Sequence, residues 1–387
     1  MTWLLAGSWA GEGSRGGITV FRLENGQLLP FGQADRELIV GYLAYDPSTS
    51  TLYAADERKT DGRGPVGAPA AIHAFAFDRK SGQLTWKNAQ TAPGALPNYL
   101  DIDPVQRRLI GTCHGSFDQI ERVERDAKGN WVSRILYDSS SVVLYRLAPD
   151  GRLDGVADVV VHEGHGVDPN GHPQLGGHGQ ATARAHCARL DPSGQFAAVC
   201  DKGTDLLTIY RMGDTLSRFA TFRFPPVTGP RHAAFTSDGL RVFVTEEFAS
   251  GLACLDFDPS AAQLQLRDRV LSTNGPCHRL NEPAELRVHP NDRFVYLNNR
   301  GEDTLTWFSH EGGRLRHEGA VRVGSSDLPR NGARNLMFTP DGQFLLLPDL
   351  ADHCLRVFRV DPDSGQPTEI TSAPIRRPSF VAVVADD

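Results

Sequence analysis

The residues of this sequence best suited to chemistry are His186, Arg231, His232, Glu247, Glu285, Arg300 and Arg334, and they fall at matching places of a repeated unit. In the stretch Gly229-Pro-Arg-His-Ala-Ala-Phe-Thr-Ser-Asp-Gly-Leu-Arg-Val-Phe-Val-Thr-Glu-Glu247, apolar and β-branched residues flank a Ser237-Asp238-Gly239 turn. This pattern predicts a β-hairpin. Its far ends carry Arg231 and His232 on one strand and Glu246 and Glu247 on the other, and in an antiparallel pair these ends are neighbours. One hairpin thus brings cations, a proton acceptor and carboxylates to one place, which suits acid–base work on a small polar substrate.

The elements that must position these groups form a repeat. Gly41–Glu57, Asn98–His114, His186–Lys202, Glu285–Arg300 and Arg334–Asp349 align under the hairpin above. Most copies lie roughly 45–60 residues apart, the period of a four-stranded propeller blade. A further strand follows each copy, as in Ile72–Asp78 and Leu252–Asp258, and often a fourth after a Ser-Gly or Gly-Gly turn. The C-terminal Pro378–Ala385 reads as the first strand of a seventh copy, and Trp3–Trp9 with Gly17–Arg22 as the strands that follow it. The chain is therefore predicted to be all-β, a seven-bladed β-propeller with one blade closed by its N- and C-terminal strands, residues 1–387 forming a single domain. The longer gap between the second and third copies is assigned to an inserted Gly- and His-rich loop at about 162–180.

In a propeller the start of each first strand and the end of each second strand share one mouth of the central channel. The start positions hold Gly41, Asn98, His186, Arg231, Ala284 and Arg334, followed by Tyr42, Tyr99, Cys187, His232, Glu285 and Asn335. The end positions hold Glu57, His114, Lys202, Glu247, Arg300 and Leu350. Strand interiors are mostly apolar, whereas these columns are polar and differ between copies, as a small-molecule site requires. His186, Glu247 and Arg231 are the candidate catalytic residues; Arg300, Arg334, His232, Glu285, Asn335, His114 and Glu57 are the candidate substrate contacts. Guanidinium forks match a carboxylate or phosphate, and His186 or Glu247 can serve as general base. Arg231 beside Glu247 should depress the pKa of that carboxylate, which favours His186. The same pair reads equally as a structural ion pair of one blade.

Other chemistries lack their marks. His162, His165, His172 and His178 show no zinc-ligand spacing, so neither a metal nor another cofactor is expected. Gly176-Gly-His-Gly179 has no accompanying Lys-Ser/Thr, and no Gly-x-Ser-x-Gly elbow exists. A net charge of −7 without a basic block argues against nucleic acid, and no apolar run is long enough for a membrane span. The 6 cysteines are scattered, which predicts isolated buried thiols. The first residues lack a basic region and a long apolar run, so the cytoplasm is expected. Oligomeric state is not legible.

Gly229-Pro-Arg-His-Ala-Ala-Phe235, Ala185-His186 ahead of Asp191-Pro192, Asp201-Lys-Gly-Thr-Asp205, Asn299-Arg-Gly301 and Arg334-Asn335 ahead of Pro340-Asp-Gly342 together resemble the lactonase family of seven-bladed propellers. That family includes bacterial-type 6-phosphogluconolactonase and carboxy-cis,cis-muconate cyclase, and the resemblance spans nearly the whole chain. It implies lactone chemistry on a small anionic substrate, no required metal, and a site of a histidine, arginines and a glutamate falling on His186, Arg231, Glu247 and Arg300. The chain departs from the family's pattern at Arg184, where a histidine is usual, at Glu246-Glu247 in place of Asn-Glu, and at Cys113-His114 in place of Asn-Tyr. The implied reaction is hydrolysis of a sugar lactone such as 6-phosphogluconolactone, or of a carboxylated lactone. Muconate-type cycloisomerisation and a non-enzymatic binding propeller are the alternatives.

Overall fold

Short apolar runs punctuated by turn residues leave no room for long helices. In the computed structural model, which describes residues 2–11, 13–34, 37–60, 67–170, 178–277, 280–326 and 331–385, the described residues contain no helix. They form seven four-stranded antiparallel sheets and one additional two-stranded sheet. The four-stranded sheets are numbered here as blades 1 to 7 around the ring. Blade 2 is Val40–Asp46, Thr51–Asp56, Ala71–Asp78 and Gln83–Thr91; blade 3 is Pro97–Asp103, Arg108–Cys113, Ser140–Leu147 and Leu153–His162; and blade 4 is Ala185–Leu190, Phe196–Asp201, Leu206–Met212 and Leu216–Arg223. Blade 1 takes its innermost strand, Pro378–Ala385, from the C-terminus and its other three, Thr2–Gly11, Ser14–Glu24 and Gln27–Gln33, from the N-terminus. The register runs from Thr2 opposite Ala385 to Ser8 opposite Pro378, so the two ends of the chain are laced together and no inner edge is left open.

The Asp-Pro hairpin turns of blades 2 to 4 hold because the aspartate caps them. Asp46 accepts from the Ser48 N–H at 2.8 Å, Asp103 from Val105 and Gln106 at 3.0 Å, and Asp191 from Phe196 at 2.7 Å. This is the Asx-turn chemistry that favours aspartate there. Second strands such as Thr51–Asp56 and Phe196–Asp201 are buried along their whole length, which explains their unbroken apolar runs. Aromatic side chains tie neighbouring blades by their polar ends. Trp3 Nε1 donates to Arg79 O at 3.0 Å, Tyr53 OH to Gly151 O at 2.7 Å, and Tyr296 OH to Gly365 O.

The extra length between the second and third copies falls in two places: the long connection after His162, where no strand among the described residues begins before Ala185, and a second insertion that the sequence reading did not name. Gln119–Arg125 and Trp131–Tyr137 pair as a separate hairpin between the second and third strands of blade 3. The expected loop begins one residue too early, because His162 closes the strand Leu153–His162. Residues 171–177, with His172, lie outside the described residues. The described flanks of this loop touch the hairpin through Tyr137 OH and His178 Nδ1, 2.9 Å apart. The cysteines are free, but they are not all isolated: Cys187 and Cys200 stand directly opposite each other in blade 4.

Candidate active site

A simple strand would send successive side chains to opposite faces. The first strands escape this rule at the channel mouth. Register shifts occur between Val40 and Tyr42, Pro97 and Tyr99, Ala185 and Cys187, Pro230 and Ala233, and Pro283 and Leu286. Such bulges re-aim side chains, and here they turn consecutive residues, Arg231 and His232, to the same mouth, where both line one cavity. The facing column is fixed by one repeated hydrogen bond. The backbone N–H groups of Glu57, His114, Lys202 and Glu247 donate to the carbonyls of Ile39, Leu96, Arg184 and Gly229. Trp9 does the same to Arg377 at 2.9 Å, so it is the blade 1 member of this column.

The floor of the mouth is a buried ionic cluster. Glu247 receives Lys202 Nζ at 3.2 Å, Arg231 Nε at 3.0 Å and Arg300 Nη2 at 3.5 Å, and Arg300 also reaches Glu282 at 3.4 Å. Burial alone would raise the Glu247 carboxyl, but Lys202, Arg300 and Arg231 outweigh it and hold it far below the usual carboxylate range. The three cations face two carboxylates. Burial, with Arg300 nearby, therefore lowers Arg231 to about 10, and burial lowers Lys202 to about 8 against the pull of Glu247. Glu247 is thus a fixed anion rather than a base, and the floor retains a net attraction for a further anion.

Beside the floor runs a relay of three side chains. Glu285 Oε1 lies 3.0 Å from His232 Nδ1, and His232 Nε2 lies 3.1 Å from His186 Nδ1. A carboxylate accepts only, so His232 carries its proton on Nδ1 and offers a lone pair at Nε2. That lone pair accepts from His186 Nδ1–H and from Arg231 Nη1, 3.2 Å away. His186 is thereby left with a bare Nε2. Glu285 is itself held by Arg287 Nη2 at 3.4 Å and Asn335 Nδ2 at 2.6 Å. Burial would raise it, but Arg287, His232 and Arg231 bring it down to about 2. Burial, with Arg231, Lys202 and His232 around it, pushes His186 well below the usual histidine value, so its imidazole is neutral at pH 7.

The rim is less saturated with partners. Trp9, Glu57, His186 and Arg334 are half-buried, whereas Arg231, His232, Glu247, Glu285, Arg300 and Asn335 are buried. Arg334 stacks on the Trp9 ring at 4.4 Å, and Trp9 Nε1 donates to Glu57 Oε2 at 3.0 Å. Burial raises the Glu57 carboxyl to about 7 despite the opposing Arg334 and Trp9. The cavity between these groups is about 40 Å³ and is lined by Trp9, Glu57, Asn98, His186, Arg231 and Arg334, among others. It has room for a water or a carbonyl oxygen, so the ring of a larger ligand has to lie above it, on the rim. Concavities of about 1110 and 1040 Å³ open on the outer wall, where blades diverge. The first is lined by Asp56 and Arg58, already paired at 2.8 Å, and lacks the convergence seen at the mouth.

Of the expected site residues, Glu57, His186, Arg231, His232, Arg334 and Asn335 line this cavity, and Glu247, Glu285 and Arg300 lie in the ionic network next to it. His114 is buried edge-on to His186 at 5.3 Å and donates Nδ1–H to Gly115 O at 2.8 Å. Of the departures from the family's pattern, His114 packs against the cavity, whereas Arg184 and Glu246 do not line it. Arg184 stacks on Phe117 at 4.1 Å and donates to Ser116 O at 3.2 Å, bracing the loop after His114. Glu246 faces Arg269 at 2.8 Å, away from the cavity. Lys202, Glu282, Arg287 and Trp9 were not singled out by the sequence reading. Lys202 sat in the right column, and Trp9 would have joined it had blade 1 been aligned with the rest. Among the described residues no group of three or more His, Cys, Asp or Glu is placed to hold a metal ion. His162 instead pairs with Asp201 at 2.8 Å.

A family model described as lactonase, 7-bladed beta-propeller, matches residues 4–384. A 6-phosphogluconolactonase of Bacillus subtilis is 25% identical over 334 residues, covering 86% of this chain and 83% of the relative. One from Formosa agariphila is 20% identical over 374 residues, covering 94% of each. The solved structure of the periplasmic gluconolactonase of Pseudomonas aeruginosa superposes with a TM-score of 0.82 over 99% of both chains at 24% identity, a likeness of fold.

Proposed function

The chain belongs to the seven-bladed β-propeller lactonase family, and from that premise we propose that it hydrolyses a small anionic lactone, a sugar lactone or a carboxylated one, at this channel mouth. The observation that carries the reading is the relay Glu285–His232–His186, which fixes a neutral imidazole with a bare Nε2 beside a water-sized cavity. A water there gives its proton to His186 Nε2 and attacks the lactone carbonyl. Such a base contributes about 10²–10⁴ in rate. Arg231 lies beside His186's partner and is positioned to meet the oxyanion of the tetrahedral intermediate. Arg334 at the rim is suited to hold the substrate's anionic group, and the net positive floor draws it in. The names of the relatives, 6-phosphogluconolactonase among them, favour sugar lactones as substrates.

The test is ring opening of phosphorylated and plain sugar lactones and of muconolactones, followed by acid release and corrected for spontaneous hydrolysis. Turnover of one class, reduced by about 10² or more in His186→Ala, is the expected result. Folded wild-type protein that opens none of them contradicts the reading.

A further inference from the structure

We propose that Glu57 is the general acid that protonates the ring oxygen as the lactone opens. The inference rests on the hydrolase reading above and completes it, because a base on water leaves the departing alkoxide without a proton. Among the described residues Glu57 is the sole carboxylate lining the cavity; Glu247 and Glu285 lie below, saturated by cations. Its seat is built for it. A Cβ on Gly41 would lie 2.9 Å from both Cβ and Oε2 of Glu57, so only glycine lets the carboxyl fold over the first strand of blade 2. Trp9 Nε1 then holds Oε2 at 3.0 Å, and Arg334 packs on the far face of that geometry by stacking on the Trp9 ring.

Glu57 and His186 border the same cavity, which is little larger than a water. A carbonyl seated there therefore has both groups within reach of its reacting atoms. The charged groups that act on Glu57 are Arg334, Arg231 and Lys202, and they oppose the effect of burial without cancelling it. The carboxyl is consequently about half protonated near neutrality, the condition under which a carboxylic acid can donate. His186, pushed the other way, stays unprotonated. The reaction then balances. The water proton goes to His186 Nε2 as the new acyl C–O bond forms. The tetrahedral intermediate collapses, the ring C–O bond breaks, and the Glu57 proton passes to the ring oxygen to give the hydroxyl. The product carboxyl ionises, and the proton on His186 returns to Glu57 or to solvent.

The experiment compares wild type with Glu57→Gln on two lactones. One is glucono-δ-lactone, whose ring oxygen leaves as an aliphatic alkoxide. The other is dihydrocoumarin, whose leaving phenoxide needs no acid. Glu57→Gln should lose about 10²-fold in kcat on the aliphatic lactone and no more than about threefold on the phenolic one. Retained phenolic turnover also shows that the variant is folded. In wild type, kcat/KM for the aliphatic lactone should fall as pH rises through about 7, because the acid form is required, and this limb should vanish in the variant. Equal losses on both lactones, no loss on either, or an alkaline limb that survives the substitution overturns the assignment. Wild type that opens neither these lactones nor the phosphorylated and carboxylated lactones of the panel above at any pH overturns the hydrolase reading beneath it.

Discussion

The floor of the channel mouth and its rim use the same kinds of side chain to opposite ends. On the floor, Glu247 meets Lys202, Arg231 and Arg300, and its carboxyl is held ionised by these neighbours. At the rim, Glu57 has Trp9 as its hydrogen-bond donor and stands beside an arginine engaged with an aromatic face. Both carboxyls suffer desolvation. Three close cations overcome it at Glu247, whereas at Glu57 it wins. The difference shows how one propeller mouth can hold a permanent electrostatic platform next to groups that exchange protons near neutral pH.

The largest expected effect comes from breaking the floor. Glu247→Gln leaves three buried cations facing one carboxylate, and should cost about 3–5 kcal/mol in urea unfolding. A loss below about 1 kcal/mol would mean that the cluster is not the closed network described here. Next in size is the loss of the orienting carboxylate. Glu285→Gln should lower kcat by about 10² with KM little changed, since it weakens the lock on the His232 tautomer rather than substrate contact. An effect confined to KM would place Glu285 in binding instead.

The two regions should also differ in the sign of their pH dependence. The folded pKa of Glu247 is depressed, so its contribution is fully present above the ordinary carboxylate value and is lost as pH falls below it. The folded pKa of Glu57 is raised to about 7, so ionising it opposes folding, and the stability it leaves intact at low pH is lost as pH rises toward and past 7. Melting curves should show Glu57→Gln gaining on wild type between pH 5 and pH 8, and Glu247→Gln recovering toward wild type under acid conditions. Curves that move in parallel would erase the distinction. The smallest effect is expected from Trp9→Phe, which removes a donor that lowers the Glu57 pKa but keeps a ring for Arg334. The alkaline limb of kcat/KM should move to higher pH while stability changes by no more than about 1 kcal/mol. A limb that moves down would contradict the role given to this hydrogen bond.

Much of the fold was legible because it rests on local chemistry. Asp46, Asp103 and Asp191 announce their turns by capping them, and the split blade followed from completing a repeat. The hairpin at Gln119–Tyr137 escaped notice because most of its residues are exposed, so no core-facing alternation marks it; Trp131 is 67% exposed. The columns at the strand ends named most of the mouth, since every blade delivers equivalent positions there. They did not say which groups meet, because the meeting partners are distant in sequence. Tyr42 and Glu285, in contact at 3.4 Å, are separated by most of the ring. The columns did separate Glu246 from Glu247, since they hold Glu247, which anchors the floor, and leave out Glu246, which braces a blade through Arg269. The deciding feature is the bulged register, which spacing alone does not reveal.

The most direct test of the central claim is hydrolysis in ¹⁸O-water, with product followed by mass spectrometry for wild type and His186→Ala and the spontaneous reaction subtracted. Acyl attack by a water activated at His186 predicts one heavy oxygen in the product carboxylate and none in the hydroxyl, formed at a rate about 10²-fold or more lower in the variant. Label in the hydroxyl, or an enzyme-dependent rate indifferent to His186, would contradict it.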